Sequence, residues 1–322
     1  MLRCAQLTAG SDLHAYRGLE PGGPMGHEVC GEIVAAGPEV KKFKVGDRVL
    51  CPFSNSCGAC YFCERGWTSR CKDNYCLSGG QAEYFLVHEA DADLYPLPSD
   101  LPEEMALLLT DILPTGYSAA FNARRLMDDG WLTGEQWSLA DAEKGTAPKK
   151  GIAVVLGCGP VGLCAISSAK TLFETVYATD LNASRLPAAE KHGAIALPLP
   201  ELKEALMKAT EGRGADAVLE VVGHPSAVAD ALELVRPYGA VSSVGVHNAP
   251  LSVSAEKFYD KNVRMQFGRC SVRTFFPAAM NVLKGNLDLF RSFVQFKVGI
   301  NEAPEYYTRF EKGEIGKTVF VM

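Results

Sequence analysis

Residues 151–162 read Gly-Ile-Ala-Val-Val-Leu-Gly-Cys-Gly-Pro-Val-Gly. The apolar run 152–156 suits a strand buried on both faces. The stretch 163–170, rich in Ala and Ser, suits a helix. Gly-x-Gly-x-x-Gly thus falls where a strand turns into a helix, the context that makes the pattern informative. Gly157 permits the tight turn, Gly159 lets a pyrophosphate approach the backbone, and Gly162 lets the helix pack against the strand. Pro160 and Val161 fill the x-x positions. A second apolar run, 175–179, ends at Asp180, eighteen residues after Gly162. A carboxylate there accepts both ribose hydroxyls of NAD and repels the 2′-phosphate of NADP. The pattern predicts a doubly wound α/β domain that binds a dinucleotide, NAD rather than NADP. A domain of the same kind binding another nucleotide, or none, is the alternative.

A chain of 322 residues is long enough for two domains with cores of their own. Its formal net charge of −6 argues against nucleic acid or an anionic membrane as partner. No apolar run reaches membrane-spanning length and no secretory signal is visible. Four of the eleven cysteines cluster at metal-ligand spacing, and the others are scattered through apolar segments. That usage fits a reducing compartment, so a cytoplasmic protein is expected.

Ahead of residue 100, short β-prone runs are punctuated by glycine, as in Gly-Glu-Ile-Val-Ala-Ala-Gly and Val-Gly-Asp-Arg-Val. They predict a compact β-rich domain. Cys57, Cys60, Cys63 and Cys71 form the most specific local signal. Four thiolates within fifteen residues can close a tetrahedral shell around one zinc, with no position left for water, so the site would be structural. The lobe 57–71 has little apolar content, and the metal would supply its fold. An iron–sulfur site and disulfides are the alternatives.

With these residues in view, the chain resembles the zinc-containing medium-chain alcohol dehydrogenase superfamily. The carrying motifs are Gly-Ser-Asp-Leu-His (10–14), Gly-His-Glu (26–28), Val-Gly-Asp-Arg-Val (45–49), the four-cysteine lobe, Gly-Gly-Gln-Ala-Glu-Tyr (79–84), Asp-Ile-Leu-Pro-Thr-Gly-Tyr (111–117), the glycine turn and Ser-Ser-Val-Gly-Val-His (242–247). The run 111–117 is similar to the branch of glutathione-independent formaldehyde dehydrogenase and threonine- or polyol-dehydrogenase-like enzymes. The resemblance implies a GroES-like catalytic domain over 1–115, a Rossmann NAD-binding domain over 116–268, and a return to the catalytic domain over 269–322. The stretch 124–150, longer than the family's usual link, is expected to be a surface insertion or loop.

The chain departs from the family in two places. The family carries a longer stretch before Gly-Ser-Asp, so strands of the catalytic domain are expected to be missing here. The family's first catalytic zinc cysteine stands just before that motif, where this chain has Ala9, and a methyl group cannot bind zinc. The resemblance leaves His27, Glu28 and Asp111 as the catalytic zinc set, with Asp12 as the carboxylate that orients His27. Three protein ligands with an open position suffice for a catalytic zinc. Ser11 and His14 match the family's proton relay, needed because hydride leaves carbon while a proton leaves oxygen. Thr115, Val222, Gly245 and Arg269 are expected along the cofactor. The resemblance implies a homodimer or homotetramer acting on a small alcohol, aldehyde or ketone with NAD. A metal-free NAD(P)H-dependent reductase, and a non-catalytic or truncated inactive homologue, are the alternatives.

Overall fold

The computed structural model describes residues 1–7, 12–18, 24–73, 78–128, 130–134 and 136–322. Among them thirteen strands run in chain order. The first five are β1 (Leu2–Leu7), β2 (Val29–Ile33), β3 (Arg48–Cys51), β4 (Tyr84–Phe85) and β5 (Tyr95–Pro96). Then come β6 (Ile152–Leu156), β7 (Thr175–Thr179), β8 (Ile195–Ala196), β9 (Ala215–Glu220), β10 (Val235–Ser243) and β11 (Arg264–Phe267), followed by β12 (Val294–Gly299) and β13 (Lys317–Val321). The chain forms two compact units. The first comprises Met1–Asp111, Ser271–Phe276 and Asn286–Met322, and the second Ile112–Cys270 and Pro277–Gly285.

The first unit holds a seven-stranded sheet in the order β12-β13-β1-β2-β3-β5, with β4 also on β1. Only the β12–β13 pair is parallel. β1 lies inside this sheet, between β2 and the chain's last strand, β13. Leu2, Val29, Ile33, Val49, Cys51 and Leu94 pack into one buried cluster over it. In β2, Val29 and Ile33 share the face toward this cluster, and of the strand's five residues only Glu32 is exposed.

The second unit is an all-parallel sheet ordered β11-β10-β9-β6-β7-β8. β6 and β9 read as near-continuous apolar runs because helices cover both faces of such a sheet. The order reverses between β6 and β9, the place where doubly wound sheets open a crevice at their strand ends.

The compact units divide the chain at residues somewhat different from those expected. The first unit ends at Asp111, before the helix Ile112–Leu126, and not inside that helix at 115. Residues 277–285 belong to the second unit, so the last part of the chain does not return whole to the first. The stretch 124–150 is largely exposed or half-buried among its described residues and carries the short helices Gly130–Thr133 and Leu139–Glu143. Arg124 is fully buried inside the helix Ile112–Leu126, with its guanidinium over the Trp137 ring at 4.9 Å. Trp137 donates to Asp128 at 2.5 Å, and Ser138 and Asp141 form a capping box on the helix Leu139–Glu143. An aromatic ring thus covers the cation that the helix turns inward. Among the described residues no helix is long and apolar enough to cross a membrane.

Candidate active site and metal centres

The four-cysteine lobe is built from two 3₁₀ turns, Cys63–Arg65 and Thr68–Arg70. The Sγ atoms lie 3.6 Å apart for Cys60–Cys63, 3.8 Å for Cys60–Cys71 and 3.5 Å for Cys57–Cys71. Sulfurs about 2.3 Å from a tetrahedral zinc stand about 3.8 Å from one another, so the tetrad already has the spacing of that shell. Backbone N–H groups, that of Lys72 first, draw the Cys60 thiol down to about 6, while burial pushes Cys63 up to about 12. The lobe's aromatics Tyr61, Phe62 and Trp67 are exposed, so they form no core of its own. Its outer tether is a pair of hydroxyls: Ser271 Oγ accepts from Ser69 N at 3.2 Å, and Thr274 Oγ1 donates to Gly66 O at 2.5 Å.

The second cluster joins distant parts of the same unit. His27 stands just before β2, and Asp111 closes the unit's long first segment. His27 Nδ1 lies 2.9 Å from Asp12 Oδ1, and Nε2 lies 3.3 Å from Asp111 Oδ2. Burial alone would lower the imidazole pKa. The Asp111 and Asp12 carboxylates outweigh it and raise His27 to about 10. Glu28 faces a partner that sequence reasoning missed: Lys317 Nζ contacts both its oxygens, at 2.8 and 2.6 Å, and both residues are buried. Burial pushes the Glu28 carboxyl up to about 7, against the pull of Lys317. The available signal was a lysine opening the apolar strand Lys-Thr-Val-Phe-Val. Ligand atoms of His27, Glu28 and Asp111 all lie within 4.8 Å of one another.

Ser11 and Ala9 lie outside the described residues. His14 lies on the helix Asp12–Gly18, which Asp12 opens. Tyr307, on the helix Ala303–Glu311, donates to Asp12 Oδ2 at 3.1 Å and accepts from Gln81 Nε2 at 2.6 Å.

In the second unit, Gly157 takes φ +99° at the turn. A Cβ on Gly162 would stand 1.9 Å from Gly157 O, so only glycine lets the helix Pro160–Leu172 start there. A Cβ on Gly159 would meet nothing within 4 Å, which leaves open space at that helix's N-terminus. Asp180 is tied to this turn, its Oδ2 accepting from Cys158 N at 2.7 Å. Arg185 Nη1 lies 3.3 Å from the same oxygen. Val222 approaches Gly157 from the end of β9 and is half exposed. A Cβ on Gly245 would stand 2.1 Å from Gly223 N, so the loops after β9 and β10 touch backbone to backbone. Thr115 is partly buried in the helix Ile112–Leu126, and Arg269 is exposed after β11.

The chain is similar to several known proteins. Residues 5–99 match the alcohol dehydrogenase GroES-like domain family, and residues 160–285 the zinc-binding dehydrogenase family. A zinc-type alcohol dehydrogenase B of Aspergillus flavus is 40% identical over 97% of this chain and 72% of its own length. A medium chain reductase/dehydrogenase of Acremonium sp is 41% identical over 78% of this chain and 85% of its own. The solved structure of alcohol dehydrogenase TADH from Thermus sp. ATN1 superposes with a TM-score of 0.85 at 30% identity, covering 99% of this chain and 91% of that one. A GroES-like unit joined to a Rossmann-type unit defines a two-domain dehydrogenase. The chain belongs to the zinc-containing medium-chain alcohol dehydrogenase superfamily, and it is an oxidoreductase of the zinc-dependent alcohol dehydrogenase type.

Proposed function

We propose that this protein interconverts a small or medium alcohol with its aldehyde or ketone, using NAD, and that it carries a structural zinc on Cys57, Cys60, Cys63 and Cys71 and a catalytic zinc on His27, Asp111 and Glu28. One observation carries the catalytic site. Ligand atoms about 2.05 Å from a tetrahedral ion lie about 3.3 Å apart, and that is the separation of His27 Nε2 from Asp111 Oδ2. Glu28 has two oxygens, so one can serve the metal while the other stays on Lys317. When bound, zinc supplies Lewis acidity that lowers the pKa of the substrate hydroxyl. Asp12 holds His27 by Nδ1 and leaves Nε2 as the ligand atom. Ser11 takes the hydroxyl proton and His14 passes it toward solvent.

The open space at Gly159 and the carboxylate of Asp180 fit a dinucleotide. NAD supplies the hydride acceptor. The 157–162 turn binds its pyrophosphate, Asp180 selects against a 2′-phosphate, and Thr115, Val222, Gly245 and Arg269 line its course. Arg185 beside Asp180 is the residue through which NADP would gain a foothold. The protein works in the cytoplasm as a homodimer or homotetramer.

A second reading, a metal-free reductase, is favoured by one feature: a protonated His27 between Asp12 and Asp111 satisfies both carboxylates without any ion. The deciding experiment is elemental analysis of zinc per chain, on protein purified without chelator, followed by alcohol screening with NAD. About two zincs per chain with NAD-dependent oxidation support the proposal. One zinc, retained in the lobe alone, sinks the catalytic-zinc reading and leaves the reductase.

A further inference from the structure

Among the described side chains, Asp12, Tyr16 and Arg17 of the helix Asp12–Gly18 fasten it along the helix Ala303–Glu311. Tyr307 donates to Asp12. Tyr16 stacks on the Tyr307 ring at a centroid distance of 5.5 Å and lies 3.2 Å from Thr308 Oγ1. Arg17 pairs with Glu311 at 2.8 Å. Of the three, only the Tyr307 contact is buried, and it reaches the carboxylate that grips His27. Gln81 enters from a third part of the chain. Its backbone N–H donates to Met25 O at 3.0 Å, and Gly80 N donates to Gly26 O at 3.1 Å, so this segment is laced to the residues just before His27.

The chain of bonds has a direction. The Gln81 amide nitrogen can only donate. Tyr307 Oη accepts from it at 2.6 Å and therefore turns its own hydrogen to Asp12 Oδ2 at 3.1 Å. Burial and the Asp12 carboxylate push the Tyr307 hydroxyl above the ordinary phenol range, so it keeps that hydrogen. Asp12, fixed on one oxygen, offers the other to His27 Nδ1 at 2.9 Å. Asp12 thus holds one imidazole proton on Nδ1, so Nε2, which shares the other with Asp111, is the atom a metal would take once that proton is given up.

We infer that Gln81 and Tyr307 are positioning residues for zinc at His27, acting through Asp12 by a one-way sequence of hydrogen bonds. The inference rests on the proposed catalytic zinc and adds two residues that stand behind Asp12, outside the proposed ligand set.

The test measures zinc affinity by chelator competition on the full-length protein, which resolves the lobe zinc from the second zinc. Tyr307→Phe removes the hydroxyl and keeps the ring against Tyr16 and Phe320. Gln81→Glu is nearly isosteric and replaces the donating amide by an acceptor, so Tyr307 turns its hydrogen away from Asp12. Loss of an outer hydrogen-bond partner of a ligand typically weakens a metal site by 10–100-fold. Each variant should weaken the second zinc by about tenfold, with the lobe zinc and the melting temperature unchanged. A second-site affinity within about twofold of wild type in either variant overturns the inference, that being well below the usual effect of such a partner. Loss of both zincs together also overturns it, because Tyr307 would then serve the fold and not His27. If wild-type protein takes up only the lobe zinc, the catalytic-zinc reading fails and this inference falls with it. Two zincs in wild type with unaltered variants sink the inference alone.

Discussion

The two clusters of ligating side chains sit in the same unit and are assembled by opposite means. The four-cysteine lobe draws all its ligands from residues 57–71, and its aromatics face outward. The His27 cluster joins Asp12, His27 and Asp111, reaches Tyr307 across 295 residues of chain, and borders a Glu28–Lys317 pair 289 residues apart. In the lobe, four thiols stand at the spacing of a tetrahedral shell, an arrangement that a bound metal would make favourable. In the His27 cluster, acid already meets base, so the fold can hold it closed before any ion arrives. On the proposed reading one site would be made by its metal, whereas the other is held by the fold and would then be offered to a metal.

The sharpest break in that comparison is metal removal. Structural zinc contributes about 10–16 kcal/mol of apparent binding free energy in small zinc-held peptides. Cys71→Ser, or exhaustive chelation, should open the lobe to proteolysis between 57 and 73. The His27 cluster should stay protected in hydrogen exchange. If both regions open together, the contrast between them is wrong.

Next in size is the buried ion pair. Glu28→Ala removes the carboxylate that grips the buried Lys317 ammonium and should cost about 3–5 kcal/mol in denaturant unfolding. Replacing both residues by methionine should recover most of that loss, because no lone charge is left buried. A double variant as unstable as the single one would mean that the pair's packing, and not its charge, matters.

A smaller effect comes from pH. His27 titrates near 10 in the metal-free chain, above its ordinary 6.5. The carboxylate grip on the imidazolium therefore stabilises the metal-free fold fully below pH 6.5, and that stability is lost as pH climbs through 10. Zinc needs the neutral ring, so it must displace this proton. Second-site affinity should rise by up to about tenfold per pH unit between 7 and 10, read by calorimetry in buffers of different ionisation heat. A flat profile would show that His27 is already neutral.

The smallest effect is at the surface. Arg17→Ala removes a half-exposed pair with Glu311 and should cost under about 1 kcal/mol. It should leave second-site zinc affinity untouched, which separates simple docking of the helix from the directed bonds through Tyr307.

What the sequence disclosed follows the same division. The cysteine tetrad and the 157–162 turn were legible because their chemistry is packed into a dozen or so consecutive residues. His27, Glu28 and Asp111 were legible only through resemblance, since no spacing rule joins positions 27 and 111. The sequence reading gave Glu28 to the metal, but it could not see that Lys317 holds both its oxygens. Tyr307 sat in plain view in Ala-Pro-Glu-Tyr-Tyr, yet helical periodicity says only that it faces inward, not that its hydroxyl meets Asp12. Arg124 is a related case: nothing in the sequence links its charge to the aromatic ring, thirteen residues on, that covers it.

The pairing of β1 with β13 sets a timetable for synthesis. The second unit has all of its residues by position 285, whereas the first waits for β13 to close its sheet. At about 5–20 residues per second on the ribosome, Glu28 is without its lysine for roughly 15–60 s. During that time the nucleotide-binding unit can fold beside an unfinished neighbour whose β1 flank is still open. A chain broken off before β13 would leave a carboxylate with no partner and a strand with no mate. Those are the marks by which chaperones and proteases recognise an incomplete protein.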